Sequence, residues 1–187
     1  MRICHIADIH WRGLTRHSEY RNVFEQLFVK LRPLEPDVIY IGGDVFHTKT
    51  QNISPEVLEC LDWWFEQLTT IARVVITLGN HDGNLMNETR QDAITPVVKM
   101  LRNPKITLYK HSGVYDDVIC NDITWCVFSC FDVDGWKDVK PVHGKLNIAT
   151  FHGSVLGSTT DLDFALRGEV DLKFFEGFDF VLLGDIH

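Results

Sequence analysis

The sequence predicts an α/β fold, and three features of the chain indicate it. Apolar runs of strand length recur along the whole chain, helical patterns separate the early runs, and polar residues or glycines end most of them. The early part reads strand–helix–strand–helix–strand, which is typical of parallel strands with helices outside the sheet. The chain has 187 residues, of which 45% are hydrophobic, and shows no repeat or linker, so it suits one domain.

The strands are predicted from apolar runs that stop at turn-forming residues. They are expected at residues 2–7, 37–41, 73–78, 106–109, 114–119, 123–130, 146–151 and 179–183. Between 106 and 130 the runs lie close together with no helical pattern among them. We therefore expect antiparallel hairpins in that stretch.

The helices are predicted from apolar stripes at helical spacing. The first spans residues 19–34 and carries Phe24, Leu27, Phe28 and Leu31 on one face. The second begins with Ser54 as cap and Pro55 in the first turn. Its stripe comprises Val57, Leu58, Leu61, Trp64, Phe65 and Leu68. Trp63 falls beside this stripe, and a third, weaker helix is expected over 95–101.

Charge and cysteine content narrow the function classes. The formal net charge is −8 and the pI is about 5.5, which argues against a protein that binds nucleic acid through a basic patch alone. The 5 cysteines form no C-x-x-C pair and lie in apolar runs, so we expect buried free thiols and a reducing compartment, cytoplasmic or nuclear. The N-terminus does not resemble a signal peptide, and secretion is not expected.

Metal-competent side chains follow five of the apolar runs. The stretch "ITLGNHDGN" is one example, in which a β-branched run stops at glycine and an amide, an imidazole and a carboxylate follow. The candidate metal ligands are Asp8, His10, Asp44, Asn80, His152, Asp185 and His187. Ligands bind beyond the carboxyl ends of strands in open α/β sheets, so these side chains should meet at one edge.

This ligand set predicts a two-metal site. It holds carboxylate, imidazole and amide groups but no thiolate, which suits Mn, Fe or Zn with oxygen-rich coordination. Seven ligands are too many for one ion, and paired divalent ions clamp a phosphoryl group for in-line attack. Asp44 is the candidate bridging carboxylate, Asp8 and His10 would hold one ion, and Asn80 and His152 the other. A single Asp at a strand end is more often a cap, but capping does not explain the whole set.

The motifs together resemble the calcineurin-like metallophosphoesterase superfamily. They read "DIH" (8–10), "GGD" (42–44), "GNHD" (79–82), "FHG" (151–153) and "GDIH" (184–187). The segment "GDVFHTKTQNISPEVL" is similar to the SbcD-type DNA double-strand-break repair nuclease subunit, which carries an extra histidine where this chain has His47. The resemblance implies a four-layer α/β/β/α sandwich, with a dimetal site at one edge of the sheets.

The resemblance also implies an activity, cofactors and partners. It implies Mn-dependent cleavage of DNA as exonuclease and endonuclease in repair and recombination, with two divalent ions. His47 and His81 would be catalytic, His81 acting on the leaving sugar oxygen, and Asp82 would either orient His81 or close the turn. It further implies an SbcC-type coiled-coil ATPase partner and a homodimer. Apolar residues at 54–68 and 89–101, with Trp63 and Cys60 among them, are the expected dimer surface.

The chain departs from the motif pattern in two respects. Asp185 stands where the superfamily usually has histidine, which keeps a hard oxygen ligand but adds negative charge. The chain also stops at His187, so we expect a C-terminally truncated nuclease domain, 1–187, without its capping domain. Two alternatives stay open, namely another phosphodiesterase or phosphatase of the superfamily and a non-catalytic scaffold that retains the fold.

Overall fold

The structure is a computed structural model that describes residues 1–48, 53–87, 90–160, 162–163 and 165–186. Within these residues eight strands form two four-stranded sheets. The first sheet has the order β1 (Ile3–Ile6), β2 (Val38–Gly42), β3 (Arg73–Thr77) and β4 (Ile106–Tyr109). The second has the order β5 (Gly113–Asp116), β6 (Ile123–Phe128), β7 (Leu146–His152) and β8 (Phe180–Gly184). All eight predicted strands are confirmed, with ends that differ by a few residues.

The two sheets and their helical covers form a four-layer α/β/β/α sandwich. Three α-helices, α1 (His17–Leu31), α2 (Pro55–Ile71) and α3 (Ile94–Leu101), pack with the outer face of the first sheet. Within the described residues, the outer layer of the second sheet is built from short 3-10 helices, Val133–Asp138 and Leu172–Phe175. The predicted α/β class is therefore confirmed, and among the described residues the fourth layer is formed by short 3-10 helices.

The core between the sheets follows from strand alternation. In β2, Val38 and Tyr40 point between the sheets, whereas Ile39 and Ile41 point toward the helices. Trp125 of β6 is fully buried and stacks on Tyr40, with ring centroids 5.6 Å apart. Because both faces of β2 are buried, its sequence reads as a continuous apolar run, as expected for a central parallel strand.

The predicted start of α2 is confirmed in detail. Ser54 Oγ accepts the backbone N–H of Val57 at 3.3 Å, and Pro55 occupies the first turn. The same hydroxyl donates to the carbonyl of Gly13 at 2.6 Å. This contact ties the helix start to the loop after β1, which also carries His10.

Residues 106–130 differ from the expected antiparallel hairpins. Only β5 and β6 pair antiparallel among the described strands, whereas β4 pairs parallel with β3, with Val74 opposite Ile106. The reason is that α3 precedes β4 and returns the chain to the same end of the first sheet. The chain crosses to the second sheet only after Tyr109.

Two residues assigned to the expected dimer surface are used inside the subunit. Trp63 packs against Phe28 of α1, with ring centroids 5.5 Å apart, and the Arg21 guanidinium lies 4.7 Å from its ring centroid. Cys60 is buried in the helix-side core. Cys60 is therefore not available at the surface, and α1 covers part of Trp63, whereas the dimer itself stays a prediction.

All five cysteines are free thiols, but only Cys60 and Cys126 are fully buried. Cys4, Cys120 and Cys130 are half-buried, so the expectation of buried thiols holds for part of the set. Among the described helices, none combines the length and apolar character needed to cross a membrane.

Candidate metal centre

The predicted ligands converge at the carboxyl ends of five strands drawn from both sheets. Asp8 and His10 follow β1, and Asp44 follows β2. Asn80 and His81 follow β3, His152 ends β7, and Asp185 follows β8. His187 lies outside the described residues, so its predicted role as a ligand stays a prediction.

The backbone at this centre is bent into the left-handed region. Asp8, His10, Asp44 and Asp185 have φ values of 56°, 53°, 52° and 80°. For residues other than glycine, this conformation carries a free-energy cost and is typical of functional sites. Hydrogen bonds between neighbouring loops hold the bends, since Asp8 N–H donates to Gly43 O at 3.1 Å and His10 N–H to Asp44 O at 2.9 Å.

Two groups of three possible ligands share one carboxylate. His10, Asp44 and His81 form one group, and Asp8, Asp44 and His152 form the other. In each group the ligand atoms lie within 4.8 Å of one another. Asp44 is 1% exposed and belongs to both groups, which is the arrangement predicted for a bridging ligand.

His152 faces a concentration of negative charge. Its Nδ1–H donates to the carbonyl oxygen of Gly42 at 2.7 Å, so Nε2 is the atom that faces the site. Nε2 lies 3.3 Å from Asp44 Oδ2, 3.9 Å from Asp185 Oδ1 and 4.0 Å from Asp8 Oδ1. Burial lowers the pKa of His152, but the hydrogen bond and charge of Asp44 outweigh it and raise the pKa to about 9.

Glycines form a tight cradle around the His152 ring. A Cβ on Gly43 would lie 2.6 Å from His152 Nδ1, and one on Gly184 would lie 2.5 Å from the same atom. A Cβ on Gly79 would lie 2.7 Å from Cε1 of the ring and 2.3 Å from Asp44 Oδ1. The imidazole therefore occupies space that only glycine leaves open at these three positions.

The donor set fits divalent cations. Asn80 Nδ2 donates to Asp185 Oδ1 at 3.0 Å, whereas the buried Asn80 Oδ1 has no hydrogen-bond partner among the described residues. A buried oxygen acceptor without a donor is costly, and a cation would satisfy it. A neutral His152 would direct an Nε2 lone pair at Asp44 and Asp8, an arrangement that a bound cation also relieves. These hard oxygen and imidazole donors suit divalent metals such as Mn.

His81 lies at the first ligand group and is held by its backbone and its ring. Its backbone N–H donates to Asp44 Oδ1 at 2.7 Å, and its ring Nδ1 lies 2.7 Å from the carbonyl oxygen of His47. Because a carbonyl can only accept, Nδ1 carries the proton and Nε2 faces away from that bond. The ring centroids of His10 and His81 are 5.0 Å apart, and those of His10 and His47 are 5.6 Å apart.

Asp82 closes the turn and ties two loops together. Its buried carboxylate accepts the backbone N–H groups of Gly79 at 2.9 Å and Phe46 at 3.0 Å. Burial raises its pKa to about 7, against the effect of these two hydrogen bonds. The contact that orients the His81 ring comes from His47 O, so the geometry favours the turn-closing role of the two alternatives.

One acidic residue at the centre was missed by the sequence reasoning. Glu169 lies in the loop after β7, and its carboxylate is 3.0 Å from the point where a Cβ on Gly153 would lie. Burial first, and then the charge of Asp185, raises the pKa of Glu169. Its segment, "LRGEV", follows no apolar strand run, so the pattern that located the other residues gave no signal here.

The chain is similar to several known proteins. A family model described as calcineurin-like phosphoesterase matches residues 1–187. The uncharacterized protein R555 of Acanthamoeba polyphaga mimivirus is 34% identical over 99% of this chain and 14% of its own length. The DNA double-strand break repair protein Mre11 of Methanopyrus kandleri is 24% identical over 100% of this chain and 44% of its own length. The chain thus spans less than half the length of these curated relatives.

A solved structure also resembles the chain. The crystal structure of Pseudomonas putida nuclease MPE aligns with a TM-score of 0.41 and 16% identity, covering 88% of this chain and 67% of that one.

Proposed function

Because the chain belongs to the calcineurin-like phosphoesterase family, we propose that it hydrolyses phosphodiester bonds in DNA with two divalent cations, manganese first among them. The observation that carries this proposal is the shared position of Asp44 in two adjoining groups of ligands. Cations bound there would supply Lewis-acid chemistry that acidifies water and offsets the charge on the phosphoryl group.

The chain's own residues would hold the cations, orient the ligand side chains and protonate the leaving group. His10 groups with His81 on one side of Asp44, and Asp8 groups with His152 on the other, so we propose that Asp8 and His10 bind different ions, with Asn80 on the side of Asp8 and His152. The Gly42 carbonyl fixes the His152 tautomer through the 2.7 Å contact, so that Nε2 faces the centre. Asp185 would add a carboxylate on the Asn80 side, where the two residues already share a hydrogen bond.

His81 is proposed as the group that protonates or stabilises the leaving sugar oxygen. The His47 carbonyl binds Nδ1–H, which leaves Nε2 as the atom available for proton transfer. His81 also belongs to one ligand group, so measurement of bound metal in a His81 variant distinguishes a ligand from a proton donor.

DNA is the proposed substrate class, with both exonuclease and endonuclease action. Support comes from the Mre11 relative, whose name refers to repair of DNA double-strand breaks. Further support comes from Arg12, an exposed residue whose charge lowers the pKa of His47 after burial has lowered it. Local positive charge of this kind suits a polyanion that approaches a protein of net charge −8.

Two partners are proposed with this function. One is a coiled-coil ATPase of the SbcC type, in keeping with the similarity of residues 43–58 to SbcD-type nucleases. The other is a second copy of the chain, bound through α2 and α3. A groove of about 390 Å³ runs between these helices and is lined by Leu58, Glu59, Asp62, Met100 and Leu101. Met100 is 52% exposed there, which is consistent with a partly apolar contact.

The test compares substrate classes with the same metal-loaded protein. Purified chain with Mn²⁺ would be assayed on supercoiled DNA, hairpin DNA and the chromogenic diester bis(p-nitrophenyl) phosphate. We expect cleavage of all three, abolished by EDTA and by Asp44→Asn. Cleavage of the chromogenic diester alone would favour a small-substrate phosphodiesterase. No cleavage by a protein that binds metal would favour a scaffold and overturn the proposal.

A further inference from the structure

A cavity distinct from the groove between α2 and α3 lies beside the metal centre, and it has no part in the mechanism above. Its volume is about 400 Å³, within the range of small-ligand sites. It opens between the loop after β3 and the loop after β6. The lining residues are Leu85, Cys130, Phe131, Asp132, Val133 and Asp134.

The cavity shares a wall with the turn that carries His81. A Cβ on Gly83 would lie 2.8 Å from Cε1 and Cζ of Phe131, so the Phe131 ring packs directly on the backbone two residues after His81. Cys130 Sγ lies 3.8 Å from the carbonyl oxygen of Leu78, at the end of β3. The cavity and the metal centre therefore lie on either side of the same turn, between Leu78 and Gly83.

The chemistry of the lining selects among possible occupants. Leu85, Phe131 and Val133 offer apolar and aromatic surface for a flat ring. Asp132 is already engaged, since its Oδ2 accepts the backbone N–H of Ser112 at 2.9 Å. Asp134 is exposed at the rim. Two carboxylates would repel a phosphate but would accept hydrogen bonds from an amino group, as acidic residues do from the N4 amino group of cytosine.

We propose that this cavity is a nucleobase subsite, which takes an unpaired base with an exocyclic amino group from a nucleotide next to the cleaved phosphate. The proposal rests on the proposed cleavage of nucleic acid phosphodiesters. The base would stack on apolar and aromatic side chains, and Asp134 would accept its amino group. A paired base already uses this amino group and lies within the helical stack, so the subsite requires a base that has left the duplex.

The experiment uses single-stranded oligothymidylates that carry one cytosine, one uracil or one abasic site at a single position, moved stepwise along the strand. Cytosine and uracil differ in the group the subsite would read, an amino donor against a carbonyl acceptor. For the metal-loaded chain we expect one register, relative to the cleaved bond, at which cytosine raises kcat/KM about tenfold over uracil, which is the size of one good base contact. The abasic site should be cleaved least efficiently in that register.

Three variants test the contacts proposed for the base. Asp134→Asn should bring the cytosine-to-uracil ratio close to one, because an amide can donate to the uracil carbonyl as well as accept from the cytosine amino group. Asp138→Asn makes the same charge change in the same 3-10 helix without lining the cavity, and it should keep the wild-type ratio. Phe131→Ala should reduce cleavage of both bases toward that of the abasic strand. If Phe131→Ala does not fold, the two Asp variants decide the question.

The outcomes separate this proposal from the proposed function. Equal kcat/KM for cytosine, uracil and abasic strands in every register would overturn the base subsite and leave phosphodiester cleavage standing. If the chain cleaves neither oligonucleotides nor bis(p-nitrophenyl) phosphate, the proposed function fails instead. In that case, fluorescence anisotropy measures the affinity of the chain and its variants for the same strands. Equal affinity for the cytosine, uracil and abasic strands would overturn the base subsite.

Discussion

The backbone N–H of Asp185 donates to both carboxylate oxygens of Asp8, at 3.0 and 3.1 Å, although the two residues lie 177 positions apart. This contact joins the end of β8 in the second sheet to the end of β1 in the first. The Asp185 side chain in turn accepts the amide of Asn80 at 3.0 Å. Asp185 is therefore built into the centre by its backbone as well as by its carboxylate.

Replacement of Asp185 tests what that carboxylate contributes. Asp185→Asn keeps the backbone contact to Asp8 and an oxygen acceptor for Asn80, but it removes one negative charge. We expect the affinity for one of the two divalent ions to fall at least about 10-fold, because a neutral amide oxygen binds a divalent cation more weakly than a carboxylate does. Calorimetric titration with Mn²⁺ measures this. Asp122→Asn, an exposed change at the start of β6, should leave both affinities unchanged.

Removal of the shared carboxylate should reduce the metal stoichiometry. Asp44→Asn retains an oxygen that can accept the His81 backbone N–H, a contact of 2.7 Å in the parent chain. It loses the charge that both ligand groups use. We expect two Mn²⁺ per wild-type chain and at most one per variant, measured by elemental analysis after gel filtration. Two ions in the variant would contradict a bridging role for Asp44.

His81→Ala separates proton transfer from metal binding. The side chain is proposed to act on the leaving group, and such groups contribute about 10²–10⁴-fold in rate. We therefore expect cleavage of supercoiled DNA to fall by about that factor, while metal content stays at the wild-type value. Loss of an ion together with activity would instead identify His81 as a ligand, in agreement with its place beside His10 and Asp44.

A charge in the groove between α2 and α3 should prevent dimer formation. Met100→Glu places a carboxylate beside Glu59 and Asp62, which already line this groove. We expect a wild-type dimer and a variant monomer in sedimentation velocity at micromolar concentration. Leu172→Glu, at a residue 75% exposed on the second sheet's outer layer, is the matched control and should remain dimeric. A wild-type chain that sediments as a monomer would defeat this prediction.

Acid stability should depend on Asp117, which lies far from the metal centre. Burial acts to raise its pKa, but hydrogen bonds from Trp125, from the backbone at 119 and 120, and from Arg73 outweigh burial and hold the pKa below its ordinary 3.8. A folded-state pKa below the unfolded value stabilises the fold above about pH 4, and this stabilisation is lost as the pH falls through the folded-state pKa.

The stability that Asp117→Asn loses relative to wild type should become smaller at acid pH. At neutral pH we expect the free energy of unfolding to fall by about 3 kcal/mol, because the buried Arg73 loses its partner at 2.5 Å. The difference between wild type and variant should narrow below about pH 4 in urea titrations. The control is Asp116→Asn, which breaks the ion pair between Asp116 and Lys145. Because the Asp116 side chain is 67% exposed, this variant should lose less than about 1 kcal/mol of unfolding free energy.

The strands and most of the site could be predicted because both depend on local pattern. An apolar run that ends in Asp or His marks a strand and its functional end together, as at Asp8, Asp44 and His152. The sheet to which β4 belongs could not be predicted this way. Its short apolar run is compatible with pairing to β3 or to β5. The return of the chain through α3 places it beside β3.

Other features have no signature in residue type. Nothing about Asp8 or Asp185 as amino acids indicates a positive φ, since contacts between loops impose it. Glu169 reaches the centre on a loop whose base is fixed by Glu169 N–H donating to Ser154 O at 2.7 Å. The position of Trp63 against Phe28 likewise depends on how two helices pack, which a single-helix pattern does not contain.

The glycine cradle around His152 has an evolutionary consequence. Gly43, Gly79 and Gly184 come from three separate strand ends, yet each is restricted by the same imidazole. Loss of His152 alone would not free these positions, because a Cβ would still lie 2.6 Å from Gly79 N at Gly43, 2.3 Å from Asp44 N at Gly79 and 2.4 Å from Gly42 O at Gly184. A lineage whose metal centre had lost its histidine would therefore still keep the three glycines, since the close approach of the strand ends requires them independently of the imidazole.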